Sequence, residues 1–209
     1  MPMGNFLSKE LIARLPLYNR YFYEYFCSGL ERVSSGTIAK KMGVAPSQVR
    51  NDLSKFTIAG QQGYGYSVKN LYMSISEQLG FHSVKNCVLV GAGAIGRALI
   101  GNKMFVNQGF RLLAAFDARG AGQTLNGLTV RPMETLRDFA AAERIDIAIV
   151  ATPAEDAQAA AQQAYDAGAR GFLNFSYTDL RLPPDAVAEN VHLLDSLMRL
   201  SHKMSLNKQ

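Results

Sequence analysis

The chain has 209 residues, 48% of them apolar and 19% charged, with a net charge of +5. That length supports one large domain or two compact ones, and the composition excludes wholesale disorder. The longest weakly polar stretch, Cys87 to Gly101, is glycine-rich and broken by Arg97, so it does not span a bilayer. The N-terminus has no basic segment followed by an apolar one, and Cys27 and Cys87 make neither a disulfide framework nor a zinc set. A soluble, reduced, cytoplasmic protein is the expectation.

The position of the charge says more than its size. Residues 1–85 carry ten Lys/Arg against five Asp/Glu, whereas residues 86–209 carry twelve of each. All the excess positive charge therefore lies in the first part, which suits contact with a polyanion, although a basic solubilising surface has the same composition. The composition shifts at the same place, and the boundary falls within Leu79 to Asn86, where a helical pattern stops at Gly80 and an apolar strand begins at Cys87.

In the basic part, Ser8 to Gly29 reads as a helix with an apolar stripe at Leu11, Leu15, Tyr18, Phe22, Tyr25 and Phe26. Pro16 should kink it or begin a new helix. Ser34-Ser35 offers a cap for a short helix from Gly36 to Met42, and Gly43 ends it. Pro46 then opens a helix to Phe56 that buries Val49, Leu53 and Phe56. Helix, glycine turn, helix is the signature of a helix-turn-helix. The opposite face of the second helix presents Ser47, Gln48, Arg50, Asn51, Ser54 and Lys55, donors suited to phosphates and base edges, or simply a solvated surface. Gly60 to Val68 is glycine-punctuated and β-prone, so it reads as a hairpin, a wing carrying Tyr64, before an amphipathic helix from Lys69 to Leu79.

In the neutral part, the strand Cys87 to Val90 runs into Gly91-Ala92-Gly93-Ala94-Ile95-Gly96, a GxGxxG between a strand and a helix. Such glycines let a pyrophosphate approach the N–H groups of a helix start. A second strand, Arg111 to Phe116, ends in Asp117, 21 residues past Gly96, where an acid takes both ribose hydroxyls of NAD. Asp117 repels a 2′-phosphate, while Arg119 is able to swing towards one. Strands at Ile145–Ala151 and Gly171–Phe175 flank a helix, Ala154–Ala167, so the domain is expected to be a Rossmann-type parallel α/β sheet. Thr152-Pro153 lies at a strand carboxyl end, where such sheets bind ligands, and Pro153 also suits a helix start.

A dehydrogenase needs a proton donor or acceptor beside the nicotinamide. His82, His192 and His202 are the three histidines, and none stands in a paired catalytic spacing. About 120 residues leave no room for a separate substrate domain. The neutral part therefore reads as a nucleotide reader, not an enzyme, with no metal site. Two alternatives stay open: a small NAD-dependent oxidoreductase with an accessory helical domain, and a DNA-binding protein whose α/β part is only a dimerisation scaffold.

A winged helix followed by a Rossmann domain resembles the Rex family of bacterial redox-sensing transcriptional repressors. The matching segments, in order, are Arg14 to Tyr18, Arg32 to Ser35, Val49 to Ser54, Gly63 to Tyr66, Val90 to Gly96, Ala115 to Asp117, Pro153-Ala154, Leu173 to Phe175 and Glu189 to Val191. The resemblance implies an α/β chain with an N-terminal winged-helix domain over residues 1–80, an NAD(H)-binding domain over 86–192, and a dimer-swapped C-terminal helix over 193–209. It implies a homodimer that binds operator DNA when NAD+ dominates and releases it when NADH accumulates. The implied cofactor residues are Gly91 to Gly96, Asp117, Thr152 and Pro153. The implied DNA residues are Ser47, Gln48, Arg50, Asn51, Ser54, Lys55 and Tyr64.

Some positions depart from the family pattern. Lys55 stands where an aromatic residue is common, Phe56-Thr57 where Phe-Gly is usual, Gln61-Gln62 where the wing is basic, Ala94 where Asn is common and Asn102 where a Tyr is expected. His192 replaces an Asp that pairs with the first-helix arginine, here Arg14, across the family's dimer. The segment after Asp117 also looks shortened. Altered ligand discrimination or operator preference is the expected consequence.

Overall fold

The computed structural model describes residues 7–56, 64–81, 83–101 and 109–206. Contacts divide the chain into two units, 1–83 and 84–209.

In the first unit, Ser8 caps α1 (Lys9–Cys27) by accepting a hydrogen bond from the Leu11 N–H at 3.3 Å. Leu11, Leu15, Tyr18 and Phe22 form its buried stripe. Pro16 lies inside α1, so of the two outcomes expected there no new helix begins. A proline removes one backbone donor, and the stripe continues on both sides of it, at Leu15 and Tyr18, holding the helix as one piece. Ser34 Oγ accepts from Thr37 N–H at 3.0 Å to start α2 (Ser35–Met42), and Gly43 ends it at φ 68°. Pro46 is the first residue of α3 (Pro46–Leu53), which stops short of the expected Phe56. Ser54 instead turns its hydroxyl back onto the Asn51 carbonyl at 2.7 Å. α4 (Val68–Gln78) closes the unit over a core that includes Ile38, Val49, Leu53, Leu71 and Ile75.

The wing is met only in part. β2 (Tyr66–Ser67) pairs antiparallel with β1 (Arg32–Val33), while residues 57–63 lie outside the described residues. Gly65 must be glycine there: it sits at φ 70°, and a Cβ would lie 2.5 Å from the Val33 carbonyl oxygen.

The second unit is a seven-stranded sheet. β3 (Lys85–Val90) is central. On one side lie β4 (Phe110–Asp117) and β6 (Leu128–Pro132), and on the other β7 (Ile147–Val150), β8 (Gly171–Asn174) and β9 (Val187–Asn190), all parallel. β5 (Thr124–Leu125) adds an antiparallel edge to β6. The chain winds outward from β3 first one way and then the other, so the β3–β7 gap is the topological switch point where open α/β sheets bind ligands. α6 (Leu136–Ala142) and α7 (Ala154–Asp166) cover one face. α7 buries Ala157, Ala160, Ala161 and Ala164, small side chains that let it lie close to the strands. α5 (Ala94–Ile100) follows the glycine loop. α8 (Leu193–Leu206) buries none of its residues and exposes Leu193, Leu197, Leu200 and Met204. No described helix is long and apolar enough to cross a membrane.

Candidate nucleotide cleft and DNA-facing helix

The three glycines of the loop do different physical jobs. Gly91 turns at φ 100°, and a Cβ on it would lie 2.5 Å from the Ala151 carbonyl oxygen. A Cβ on Gly96 would lie 2.0 Å from the Gly91 carbonyl oxygen, so only glycine lets α5 pack onto the loop. A Cβ on Gly93 would meet nothing within 4 Å. That position faces open space, as close approach by a ligand backbone requires.

Around the loop lies a cavity of about 650 Å³, lined by Gly91, Ala92, Gly93, Asp117, Thr152 and Pro153 among others. It extends along α7 to Gln163. Ala94 and Ile95 are exposed on the first turn of α5, and Gly96 is buried behind the loop. Asp117, at the end of β4, accepts from Ala92 N–H at 2.7 Å through Oδ2, and from Arg119 and Gly120 N–H at 2.7 and 2.6 Å through Oδ1. Burial pushes its pKa up, but these three donors outweigh it and hold the carboxyl below its ordinary value. An ionised carboxylate has about four lone-pair sites. In this arrangement one remains for a ribose hydroxyl, fewer than the pair expected. Thr152 Oγ1, among the described residues, is the buried side-chain polar atom left without a hydrogen-bond partner. A polar ligand at the switch point would satisfy it. The open space at Gly93, the carboxylate at Asp117 and this orphan hydroxyl together fit a dinucleotide.

Two arginines shape the cleft, Arg97, to which the sequence reading gave no role in the site, and Arg119. Arg97, which lines the same cavity, donates from Nε to the Ala92 carbonyl at 3.0 Å and from Nη2 to Gln123 at 2.9 Å, clamping the glycine loop. Its signal was its place directly after Gly96. Arg119, expected as free to swing, donates from Nη2 to Asp156 Oδ2 of α7 at 3.2 Å.

On α3, Ser47, Arg50, Asn51, Ser54 and Lys55 are exposed, although Ser54 and Lys55 lie just beyond the helix. Gln48 is half-buried and turned aside: its amide donates to Asp52 Oδ1 at 2.7 Å. Asp52 is the centre of a network. Arg14 of α1 grips it with Nε on Oδ2 at 2.8 Å and Nη2 on Oδ1 at 2.9 Å, and Tyr18 Oη donates to Oδ2 at 2.9 Å. Burial raises the Asp52 pKa, and the Arg14, Gln48 and Tyr18 hydrogen bonds more than reverse it, so the carboxyl is held below its ordinary value. The Tyr18 hydroxyl is raised by its burial and by donating to that carboxylate. Sequence reasoning missed Asp52; its signal was the i, i+4 spacing from Gln48. Tyr64 is 72% exposed beside the β2 strand, with the Arg32 guanidinium 5.9 Å from its ring centroid.

The resemblance implies that an Asp at position 192 can pair with Arg14 across a dimer, a pair lost here at His192. Arg14 is occupied by Asp52 of its own chain. His192 also has partners of its own: Nε2 lies 3.2 Å from the Ser176 carbonyl oxygen, Nδ1 lies 3.6 Å from Asp195, and Tyr177 packs at 5.1 Å between ring centroids. Asn102 lies outside the described residues.

Comparison with known proteins agrees with this division. A family profile described as "Putative DNA-binding protein N-terminus" matches residues 7–54, and one described as "CoA binding domain" matches residues 82–178. The redox-sensing transcriptional repressor Rex of Thermoanaerobacter sp. (strain X514) is 39% identical over 98% of this chain and 92% of its own length. The crystal structure of RSP, in complex with beta-NAD+ and operator DNA, aligns with a TM-score of 0.88 at 38% identity over 97% of this chain and 94% of that one. RSP in complex with beta-NADH aligns with a TM-score of 0.86 at 36% identity over 97% and 96%. With near-complete coverage at this identity, the chain belongs to the Rex family of redox-sensing transcriptional repressors.

Proposed function

We propose that this chain is a transcriptional repressor that binds operator DNA and senses the NADH/NAD+ balance, NADH releasing it. The observation that carries the reading is the joining, in one chain of a repressor family, of an exposed polar helix in a helix-turn-helix and a glycine-loop cleft at the switch point of a parallel sheet. In this reading residues 1–80 hold the DNA. Ser47, Arg50, Asn51, Ser54 and Lys55 face it, Gln48 presents the amide oxygen not used on Asp52, and Tyr64 follows the backbone from the wing.

Residues 86–192 hold the dinucleotide. Gly91 to Gly96 would take the pyrophosphate, Asp117 the adenine ribose, and Thr152-Pro153 the nicotinamide side. Bound there, the dinucleotide supplies a redox-dependent ring that the protein reads without consuming. Repressor relatives support treating it as a sensed ligand and not as a hydride carrier, so we read the chain as a non-enzyme. Residues 193–209 complete a homodimer: the apolar side chains that α8 exposes need a partner surface, and two recognition helices in a dimer match two half-sites. The ligand acts by favouring one dimer arrangement over another.

The test is fluorescence anisotropy of a labelled palindromic operator bound to the protein, titrated with NADH at constant NAD+. Release is expected, along with steep weakening by salt because phosphate contacts dominate affinity. Binding that ignores NADH would refute the sensor. Steady turnover of NADH with a small substrate would instead make it an oxidoreductase.

A further inference from the structure

We propose that Asp156 sets which dinucleotide this cleft accepts: by holding the Arg119 guanidinium against α7, it closes the site to a ribose 2′-phosphate. The inference rests on the nucleotide reading above and adds the residue that decides specificity within it.

The geometry begins at Asp117. Its Oδ1 accepts the Arg119 N–H at 2.7 Å, so the backbone of Arg119 is pinned beside the carboxylate that faces the ribose. From there the guanidinium has two anions within its reach. One is a 2′-phosphate, which would carry a charge of about −2 and suits the planar donors of arginine. The other is the Asp156 carboxylate on the first turn of α7, and in the structure the guanidinium is bonded to it. Arg119, Asp117 and Asp156 all line the same cavity.

The pair is a surface one, with side chains 76% and 54% exposed, so it adds little to stability. Its effect is on charge at the rim. Asp117, Asp156, Arg97 and Arg119 leave the lining of the cavity formally neutral, and both guanidiniums are taken, Arg97 by the Ala92 carbonyl and Gln123 and Arg119 by Asp156, so neither is turned towards a phosphate. Without Asp156 the lining is net positive and Arg119 is released to turn towards a phosphate. Gln163, further along α7 in the same cavity, carries no charge and cannot take over the role.

Intact protein is titrated with NADH and with NADPH, followed by nicotinamide fluorescence, for the wild type, Asp156→Asn, Asp156→Ser, and Asp156→Asn combined with Arg119→Ala. Loss of one negative charge close to a dianion in a largely aqueous setting corresponds to about a fivefold rise in the NADPH-to-NADH affinity ratio. Both single variants should show that rise, and the added Arg119→Ala should abolish it. A ratio that stays put in both single variants while NADH still binds would overturn the role of Asp156 and leave the nucleotide site standing. A rise that survives Arg119→Ala would overturn the part played by Arg119. Wild-type protein that binds neither nucleotide would overturn the nucleotide reading and this proposal together.

Discussion

Replacing Asp52 with Asn removes one charge from the centre of the DNA-facing unit while keeping its shape. The Asp52 side chain is 2% exposed and accepts two hydrogen bonds from Arg14, one from Tyr18 and one from Gln48. Breaking a buried pair by removing one partner costs about 3–5 kcal/mol, because the other partner is left uncompensated. Arg14 is 27% exposed and recovers part of its hydration, so the lower end applies, about 3 kcal/mol. Denaturant unfolding followed by tyrosine fluorescence suits the measurement. The chain has no Trp, and of its nine Tyr seven lie before residue 84.

The pH dependence gives a second, independent reading. The folded Asp52 pKa is depressed, so its contribution is complete above the ordinary carboxylate value of about 4 and is lost as pH falls through the folded value. Wild-type stability should therefore fall below about pH 4 more steeply than that of Asp52→Asn. A variant within about 0.5 kcal/mol of wild type, or with the same acid slope, would refute the network as a support of α3.

Gly96→Ala should disrupt the loop and abolish NADH binding, since its Cβ would sit 2.0 Å from a backbone oxygen; Gly93→Ala should leave unfolding unchanged and weaken NADH binding by more than about tenfold, about 1.4 kcal/mol, by filling the ligand's space. Equal thermal shifts in the two would contradict the separate roles of these glycines. Arg50→Ala should weaken operator binding across sequences, lower the magnitude of the salt slope by about 1 if its contact is to phosphate, and leave NADH affinity alone, as gel shifts at several salt concentrations will show. Leu197→Glu with Leu200→Glu should turn a sedimenting dimer into a monomer, because both side chains are exposed on α8; an unchanged mass would remove α8 from the interface.

The parts of the fold that were legible are those fixed by local chemistry. Ser34, Gly43 and Pro46 mark helix ends because a side-chain acceptor, a left-handed φ and a missing N–H each act locally, and all three act as expected, whereas Ser8, read as the first helical residue, is the cap. The glycine loop was legible because steric exclusion at Gly91 and Gly96 leaves no other residue possible. β5 and β6 were missed although their signal was present: Asn126-Gly127, both at positive φ, is a two-residue hairpin turn between Leu125 and Leu128. β9, with all four residues exposed, had no apolar pattern to find. Partners set by long-range contact were not readable at all. Nothing near Arg14 announces Asp52, 38 residues on, and nothing near Arg119 announces Asp156.

The Arg14–Asp52 pair also constrains how a signal can reach the DNA. The resemblance implies that the first-helix arginine can pair with an acidic residue at position 192 of another protomer, but here that residue is His192, already placed against Ser176 and Asp195 of its own chain. For Arg14 to leave Asp52, a new partner would have to repay several kcal/mol for a bidentate contact to a buried carboxylate. An imidazole offers Arg14 no carboxylate in return. A ligand shifts an equilibrium only by its differential free energy between states, typically about 1–3 kcal/mol for a coupled pair of sites. That is less than the pair would lose. The Arg14–Asp52 contact is therefore expected to survive in both the operator-bound and the released forms, with α1 and α3 moving together as one body. Hydrogen exchange at the amides of α3 should then be the same with NAD+ and with NADH in the absence of DNA, whereas protection that drops with NADH would mean that the contact opens as part of the switch.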